Sequence, residues 1–273
     1  MRSSNHPIRY DTVALLEIIR QLRDPQTGCP WELQQEFSTI AKFTLEEAYE
    51  LVDAIEIGEV SQVVEELGDL FFQIVFYSQL GAERNLFTFE SVVDAIAKKL
   101  IRRHPRLLED TRDEETKVDS ELPSDLIGAW EKIKKRERTA RSMHSLMDNV
   151  PLVLPALSRA QKLQKRASTV GLDWVQIDDF LKKIVEETQE LKLALDDGIF
   201  EDIENELGDV LFSVVNLARR LGVDAETSLR RSNSKFEARV RAMEADALRE
   251  GSDLAKESIE QLDRRWALVK SSL

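Results

Sequence analysis

The sequence contains few of the residues on which disulfide-stapled, histidine-ligated and β-rich proteins depend. Its 273 residues include one cysteine, three histidines, seven prolines and ten glycines. A single cysteine excludes an intrachain disulfide and fits a reducing compartment. β-branched runs with a period of two are scarce, so we do not expect a sheet. The composition therefore predicts a soluble all-α protein.

Other features that the sequence lacks argue against several classes of function. The net charge of −13 argues against a general binder of nucleic acids or anionic membranes. No run reaches the roughly 18 apolar residues of a membrane span, and LFFQIVF is better interpreted as a buried helix. The first residues lack the apolar segment of a signal peptide, so we expect a cytoplasmic protein. A G-x-x-x-x-G-K-[ST] loop is absent, which excludes a P-loop NTPase.

One acidic pattern occurs twice. Residues 44–76 read TLEEAYELVDAIEIGEVSQVVEELGDLFFQIVF, and residues 185–217 read VEETQELKLALDDGIFEDIENELGDVLFSVVNL. The Glu-Glu-x-x-Glu triplet and the Glu-Leu-Gly-Asp tetrad recur at an offset of 140, so that Glu46, Glu47, Glu50, Glu66 and Asp69 return as Glu186, Glu187, Glu190, Glu206 and Asp209. Internal repetition sets the architecture of a chain, so we predict two tandem copies of one helical unit.

The spacing within each copy predicts an antiparallel helical hairpin. Gly58 is placed to end a helix, because glycine readily takes the left-handed conformation of a helix C-terminus. Glu50 and Glu66 each lie eight residues from Gly58, and Glu47 and Asp69 each lie eleven residues from it. Residues three apart share a helix face. Folding the chain back at this glycine therefore brings four carboxylates together, and the same holds for the second copy.

Four clustered carboxylates repel one another unless a cation lies among them. A hard divalent cation is the expected occupant, and Mg²⁺ usually binds substrate phosphates as well. A solvated acidic face is the alternative, but the mirrored spacing and the second copy favour a metal site. The candidate metal ligands are Glu47, Glu50, Glu66 and Asp69 in the first copy and Glu187, Glu190, Glu206 and Asp209 in the second. The candidate catalytic carboxylates are Glu186, Glu187 and Glu190, and the sequence does not decide which of them is the base.

The repeat extends beyond the hairpins. Hydrophobic periodicity predicts helices at 11–23, 40–57, 60–80, 88–103 and 127–140, with no structure assigned to 104–126. Lys235, Arg239, Trp266 and Lys270 repeat, at an offset of 136, four residues of the first half: Lys99, Arg103, Trp130 and Lys134. This recurrence favours phosphate contacts for the basic residues, while the tryptophans fit either the core or a nucleobase stack. The predicted domains are 1–141 and 156–273, joined by a linker at 142–155.

Taken together, these motifs resemble the tandem two-domain form of the MazG family. The matching segments are LEEAYEL with VVEELGDLFFQIVF, VEETQEL with IENELGDVLFSVVNLARRLG, and also GCPW, KLIRRHP, WEKIKKRE, KRASTVGLDW and SNSKFEARV. The resemblance covers nearly the whole chain and implies an all-α homodimer of helical-bundle units. It also implies Mg²⁺-dependent hydrolysis of nucleoside triphosphates of many bases to the monophosphate and pyrophosphate, with Mn²⁺ as a substitute metal.

The resemblance also assigns roles to residues. Glu187, Glu190, Glu206 and Asp209 would bind Mg²⁺, Lys235, Arg239 and Lys270 would contact the triphosphate, and Trp266 would lie at the nucleotide site. In tandem members the second domain resembles the working enzyme, and the first is often inactive or regulatory. After GCPW, such members commonly continue with Asp and a Gln-Thr-His-Glu-Ser run, whereas this chain has Glu32 and QQEFSTI.

Three alternatives remain at the level of sequence. The first is a non-catalytic helical module whose acidic faces bind basic partners. The second is a carboxylate-bridged di-iron bundle, which needs Glu-x-x-His pairs; the three histidines all lie outside the repeats. The third is a substrate-restricted relative of the dUTPase or dCTPase type.

Overall fold

The computed structural model describes residues 10–103 and 145–272. Within these stretches every regular element is a helix, which confirms the all-α prediction. The chain divides into two compact units, Met1–Ile133 and Lys134–Leu273, and each is described by itself. The segments predicted at 104–126 and 127–140 lie outside the described residues. No helix in the described stretches is long and apolar enough to cross a membrane.

The first unit is built on a long helical hairpin. Its helices are α1 (Thr12–Leu22), α2 (Pro30–Leu33), α3 (Phe37–Ile57), α4 (Val60–Glu83) and α5 (Phe89–Arg103). The helix predicted to begin at residue 40 begins instead at Phe37. The backbone N–H of Glu36 donates to the Thr39 hydroxyl at 2.8 Å, a cap that allows the earlier start.

The hydrophobic core of the first unit lies between α1, α3 and α4. Its buried members are Ile19, Ile40, Val75, Phe76 and Leu80. Two of the α4 residues, Val75 and Phe76, belong to the LFFQIVF run, which is helical as predicted and buries one face, while Ile74 is 40% exposed. Burial of large aliphatic and aromatic side chains stabilises a fold by about 1.5–3 kcal/mol for each side chain.

The second unit repeats this plan. Its helices are α6 (Ala156–Ser168), α7 (Ile177–Asp197), α8 (Phe200–Arg220), α9 (Ala225–Arg249) and α10 (Ile259–Ser272), with a short 3₁₀ turn at Leu254–Lys256. Helices α3 and α7 begin and end 140 residues apart, and α4 and α8 also begin 140 residues apart. The repeat found in the sequence is therefore a repeat of structure.

Two glycines close the hairpins as the sequence predicts. Gly58 ends α3 with φ of 86°, and Gly198 ends α7 with φ of 73°. Both values lie in the left-handed region, which costs a residue with a Cβ atom about 1–2 kcal/mol. Each glycine donates its N–H to a carbonyl of the helix that it ends, Ala54 or Ala194, at 3.0 Å.

The described part of the predicted linker contacts the second unit. Val150 is buried, and the Arg166 guanidinium of α6 donates to the carbonyls of Leu146 and Asp148 at 2.9 and 3.3 Å. The stretch from Leu146 to Asp148 is therefore held to α6 by hydrogen bonds from Arg166.

Candidate active site

The first unit gathers acidic side chains on its hairpin. Glu47 of α3 and Glu66 and Asp69 of α4 each bring an oxygen to within 4.8 Å of the others. Burial, followed by repulsion from Asp69 and Glu50, raises the pKa of Glu47. Burial, followed by repulsion from Glu50 and Asp69, raises the pKa of Glu66. Glu50 is thus close enough to act on this cluster, although it is not one of the three grouped side chains.

The second unit gathers the corresponding side chains. Glu187 and Glu190 of α7 and Glu206 of α8 bring oxygens to within 4.8 Å of one another. A hydrogen bond with Glu187, then burial and repulsion from Glu187, raises the pKa of Glu190, and the charge of Lys183 opposes this shift. The fourth predicted ligand, Asp209, is exposed and is not part of the group.

Lys183 distinguishes the second cluster and was missed at the level of sequence. Its Nζ lies 2.7 Å from Oε1 of Glu187 and 2.8 Å from Oε1 of Glu186. The two carboxylates raise the pKa of Lys183, so the ammonium is charged at neutral pH. Its position four residues before Glu187, on the same helix face, is the signal that could have identified it. At the matching offset the first unit has Phe43 instead.

The burial of Glu187 explains why this cation matters. Glu187 is only 6% exposed, and a buried carboxylate is costly unless it is paired. Lys183 supplies the pair along α7. The donor set of each cluster consists of carboxylate oxygens alone, which suits a hard divalent cation. Repulsion between like charges adds to the raised pKa of Glu47, after burial, and to that of Glu190, after a hydrogen bond with Glu187 and burial, and a cation would relieve this repulsion.

The predicted substrate-binding residues lie on the last two long helices. The guanidinium carbon of Arg239 on α9 lies 5.5 Å from the centre of the Trp266 ring on α10, which also packs against Phe236 at 5.6 Å. Lys235 and Lys270 are exposed. None of these three basic residues forms an ion pair with any carboxylate in the described stretches. The corresponding Trp130 and Lys134 of the first half lie outside the described residues.

The fold and the clusters together define a class of protein. It is an all-α protein with two helical hairpins, each of which gathers carboxylates at a site suited to a divalent cation and to phosphate chemistry. A family model described as the MazG nucleotide pyrophosphohydrolase domain matches residues 35–108 and 176–243. These matches cover both hairpins and both carboxylate clusters.

Curated relatives agree with the family match. The chain is 42% identical over 258 residues to the nucleoside triphosphate pyrophosphohydrolase of Escherichia coli K12, covering 94% of this chain and 95% of that protein. It is 39% identical over 256 residues to the nucleoside triphosphate pyrophosphohydrolase/pyrophosphatase MazG of Thermotoga maritima, covering 94% of each chain. The chain belongs to the MazG nucleotide pyrophosphohydrolase family, and the resemblance seen in the sequence is confirmed.

Proposed function

We propose that this chain hydrolyses nucleoside triphosphates to nucleoside monophosphate and pyrophosphate, and that the second unit carries the reaction with Mg²⁺. The observation that supports this most directly is the group of Glu187, Glu190 and Glu206, with oxygens within 4.8 Å of one another beside the ammonium of Lys183. The printed names of the E. coli and T. maritima relatives describe the same activity.

The residues present fit the metal. Glu187, Glu190 and Glu206 would hold Mg²⁺, with Asp209 as a further ligand one helical turn along α8. The equivalent set in the first unit is Glu47, Glu50, Glu66 and Asp69. When bound, the metal neutralises charge on the bridging phosphate oxygen and makes a bound water more acidic.

Side chains of the second unit would activate the water and bind the triphosphate. Glu186 is on the exposed side of the cluster and is held by Lys183, so it is placed to orient or deprotonate a water. Lys183 would contact phosphate oxygens in the substrate complex, where Glu187 would serve as a metal ligand. Lys235, Arg239 and Lys270 have no carboxylate partners in the described stretches and would contact the triphosphate, with Trp266 beside them.

A homodimer is part of the same proposal. Large apolar side chains on the second hairpin are about half exposed at helical spacing, among them Val185 at 56%, Leu207 at 48% and Leu211 at 52%. Monomeric proteins seldom expose contiguous apolar surface of this kind. Nucleotide substrates and a single cysteine favour the cytoplasm. We also retain 1–141 and 156–273 as the two domains.

The test is pyrophosphate release from a panel of NTPs and dNTPs with Mg²⁺, with Mn²⁺ or with EDTA. The protein would be compared with Glu50→Gln, Glu190→Gln and the control Glu204→Gln, which removes an exposed carboxylate from α8. We expect a loss of at least a hundredfold in Glu190→Gln, since a metal-ligand change of this kind removes transition-state charge stabilisation. Glu50→Gln and Glu204→Gln should retain activity.

The outcomes separate the alternatives. Loss in Glu50→Gln alone would place catalysis in the first unit. Activity on a single pyrimidine nucleotide would favour the dUTPase or dCTPase type of relative. Absence of pyrophosphate release from every nucleotide would overturn the enzyme proposal in favour of a non-catalytic binding module.

A further inference from the structure

A buried ion pair lies where α9 connects to α10. Glu257 comes just before α10, and Arg265 lies in the second turn of that helix. Nε of Arg265 donates to Oε2 of Glu257 at 2.7 Å and to Oε1 at 3.0 Å, and Nη2 donates to Oε1 at 2.8 Å. The side chain of Glu257 is 4% exposed and that of Arg265 is 15% exposed. Because a buried charge without its partner has lost its hydration, the two side chains are held together.

Two further groups complete this pair. The Ser252 hydroxyl donates to Oε1 of Glu257 at 2.7 Å, and Nη2 of Arg265 donates to Oε2 of Glu250 at 2.5 Å. Hydrogen bonds from Arg265 and then Ser252 lower the pKa of Glu257, and hydrogen bonds with Glu257 and Glu250 raise the pKa of Arg265. Both partners are therefore charged at neutral pH. The clasp, as we name this set, consists of Glu250, Ser252, Glu257 and Arg265.

The clasp fixes the rotation of α10 about its own axis. Arg265 and Val269 are four residues apart on one face of α10, and Val269 is 3% exposed. Trp266 and Lys270 are also four residues apart and share the adjacent face, about 100° further round the helix. Trp266 directly follows Arg265 in the chain. A rotation or tilt of α10 that broke the clasp would therefore displace the Trp266 ring as well.

The Trp266 ring makes the other contact between α10 and α9. It packs against Phe236 with 5.6 Å between ring centres, and the guanidinium carbon of Arg239 lies 5.5 Å from the ring centre. Such ring contacts allow a range of geometries, whereas a bidentate pair between arginine and a carboxylate fixes a direction. The clasp is therefore the contact that defines the orientation of α10.

We propose that Arg265 is a positioning residue for the hydrolysis of nucleoside triphosphates. Its pair with Glu257 sets α10 against α9, and in this orientation Trp266 and Lys270 reach the bound nucleotide. The inference rests on the function proposed above, which places those two residues at the substrate. Arg265 acts only through α10, because its guanidinium is engaged by Glu257 and Glu250. The carboxylate cluster lies on α7 and α8, so the clasp affects substrate binding more than the chemical step.

Steady-state kinetics of Arg265→Met tests the proposal. We expect the KM for ATP to rise about tenfold, since a displacement of about 1 Å at a binding group has effects of this order or larger. The kcat should stay within about twofold, as expected when binding alone is lost. Arg265→Lys keeps a charge beside Glu257 but not the two-pronged geometry, so its KM should be intermediate. The matched control is Arg264→Met, which removes an exposed arginine that donates to the Glu260 carbonyl and should change neither constant.

The effect should also depend on Trp266. In a Trp266→Ala background, Arg265→Met should raise KM by much less than in the native background, because residues that act through one another are not additive. A clasp that only stabilised the fold would behave differently. Its loss would lower the Tm in both backgrounds and leave KM unchanged at temperatures well below the Tm.

The outcomes that would overturn the proposal are distinct from failure of the proposed function. An unchanged KM in Arg265→Met with a native circular dichroism spectrum would overturn it, as would an equal rise with and without the Trp266 ring. If Arg265→Met does not fold, Arg265→Lys takes its place in both comparisons. If the native protein hydrolyses no nucleotide, the proposed function fails by itself. Equilibrium dialysis of ATP then tests the clasp, which is supported if the variant binds more weakly than the native protein and overturned if the two bind equally or neither binds.

Discussion

A single side chain accounts for the main difference between the two carboxylate clusters. Lys183 lies against Glu187 in the second unit, whereas Phe43 occupies the equivalent position in the first and packs near Trp31 at 6.1 Å. The second cluster therefore carries an internal cation on its own helix. A cation that can exchange carboxylates for phosphates fits a site that handles a polyanionic substrate.

Replacement of Lys183 should change how stability depends on the metal. Lys183→Met leaves the nearly buried Glu187 unpaired, and we expect a loss of about 1–2 kcal/mol in EDTA, since the lysine is itself one-third exposed. Differential scanning calorimetry should show a Tm lower by a few degrees. Addition of Mg²⁺ should recover most of this loss. Lys182→Met removes an exposed pair with Asp179 and is the matched control; an equal effect in both variants would contradict the prediction.

The raised pKa values of Glu47, Glu66 and Glu190 give the stability a pH dependence of definite sign. A carboxyl whose pKa is raised on folding binds its proton more tightly in the folded state. The free energy of unfolding therefore falls as the pH rises from the ordinary glutamate pKa, about 4.3, through the raised values. We compare the native protein with a variant in which Glu47, Glu66 and Glu190 are all replaced by Gln. As the pH rises through this range in EDTA, the Tm of the native protein should fall more steeply than that of the variant. Mg²⁺ should reduce this difference in slope between the two proteins. Parallel curves of Tm against pH in EDTA would refute the prediction.

At the scale of the element, each hairpin depends on its closing glycine. Apart from its two chain neighbours, no residue would lie within 4 Å of a Cβ at position 198, so Gly198→Ala should cost only the strain of a left-handed alanine, about 1 kcal/mol. Urea unfolding measures this directly. Gly198→Asn should cost less, because asparagine tolerates the left-handed region. Equal losses for Ala and Asn would show that the conformation is not the cause.

The two helical hairpins could be predicted from the sequence because the residues that determine them are close together along the chain. The turn glycine and the i,i+3 spacing of the carboxylates can be recognised from helix geometry. The 140-residue offset can be seen directly by comparing the two halves of the sequence. The approach of Glu47 to Asp69 required only that the helix reverse at Gly58. The start of α3 at Phe37 was missed because the cap formed by Glu36 and Thr39 is not a Ser-x-x-Glu box.

A cavity of about 470 Å³ between α6, the turn at residues 171–174 and α8 could not have been found in the same way. It exists because Gln164 of α6 meets the Phe212 carbonyl, 48 residues away, and because Arg219 reaches Asp173, 46 residues away. Such contacts depend on tertiary packing, which no periodicity encodes. At the level of sequence, GLDW at residues 171–174 counted only as part of a segment that resembles the MazG family. The ion pair of Lys183 was local, by contrast, and an i,i+4 search around the acidic triplet would have found it.

At the scale of the whole molecule, charge and apolar surface point to different partners. The net charge of −13 repels a triphosphate at long range, so the proposed reaction needs cations placed locally in the second unit. In our proposal these cations are Lys183, Lys235, Arg239 and Lys270. The apolar side chains exposed on the second hairpin instead suit a second copy of the chain, since an interface core is depleted of charge.

The dimer is tested by placing a charge within that apolar stripe. Leu211 lies four residues after Leu207 on the same face of α8, and both are about half exposed. Leu211→Glu should halve the mass measured by size-exclusion chromatography with light scattering, because burying an unpaired carboxylate in an interface costs several kcal/mol. Leu248→Glu, at the end of α9 and 78% exposed, is the matched control and should remain dimeric. If the native protein runs as a monomer, the dimer proposal fails. If Leu211→Glu remains dimeric, the interface lies elsewhere on the chain.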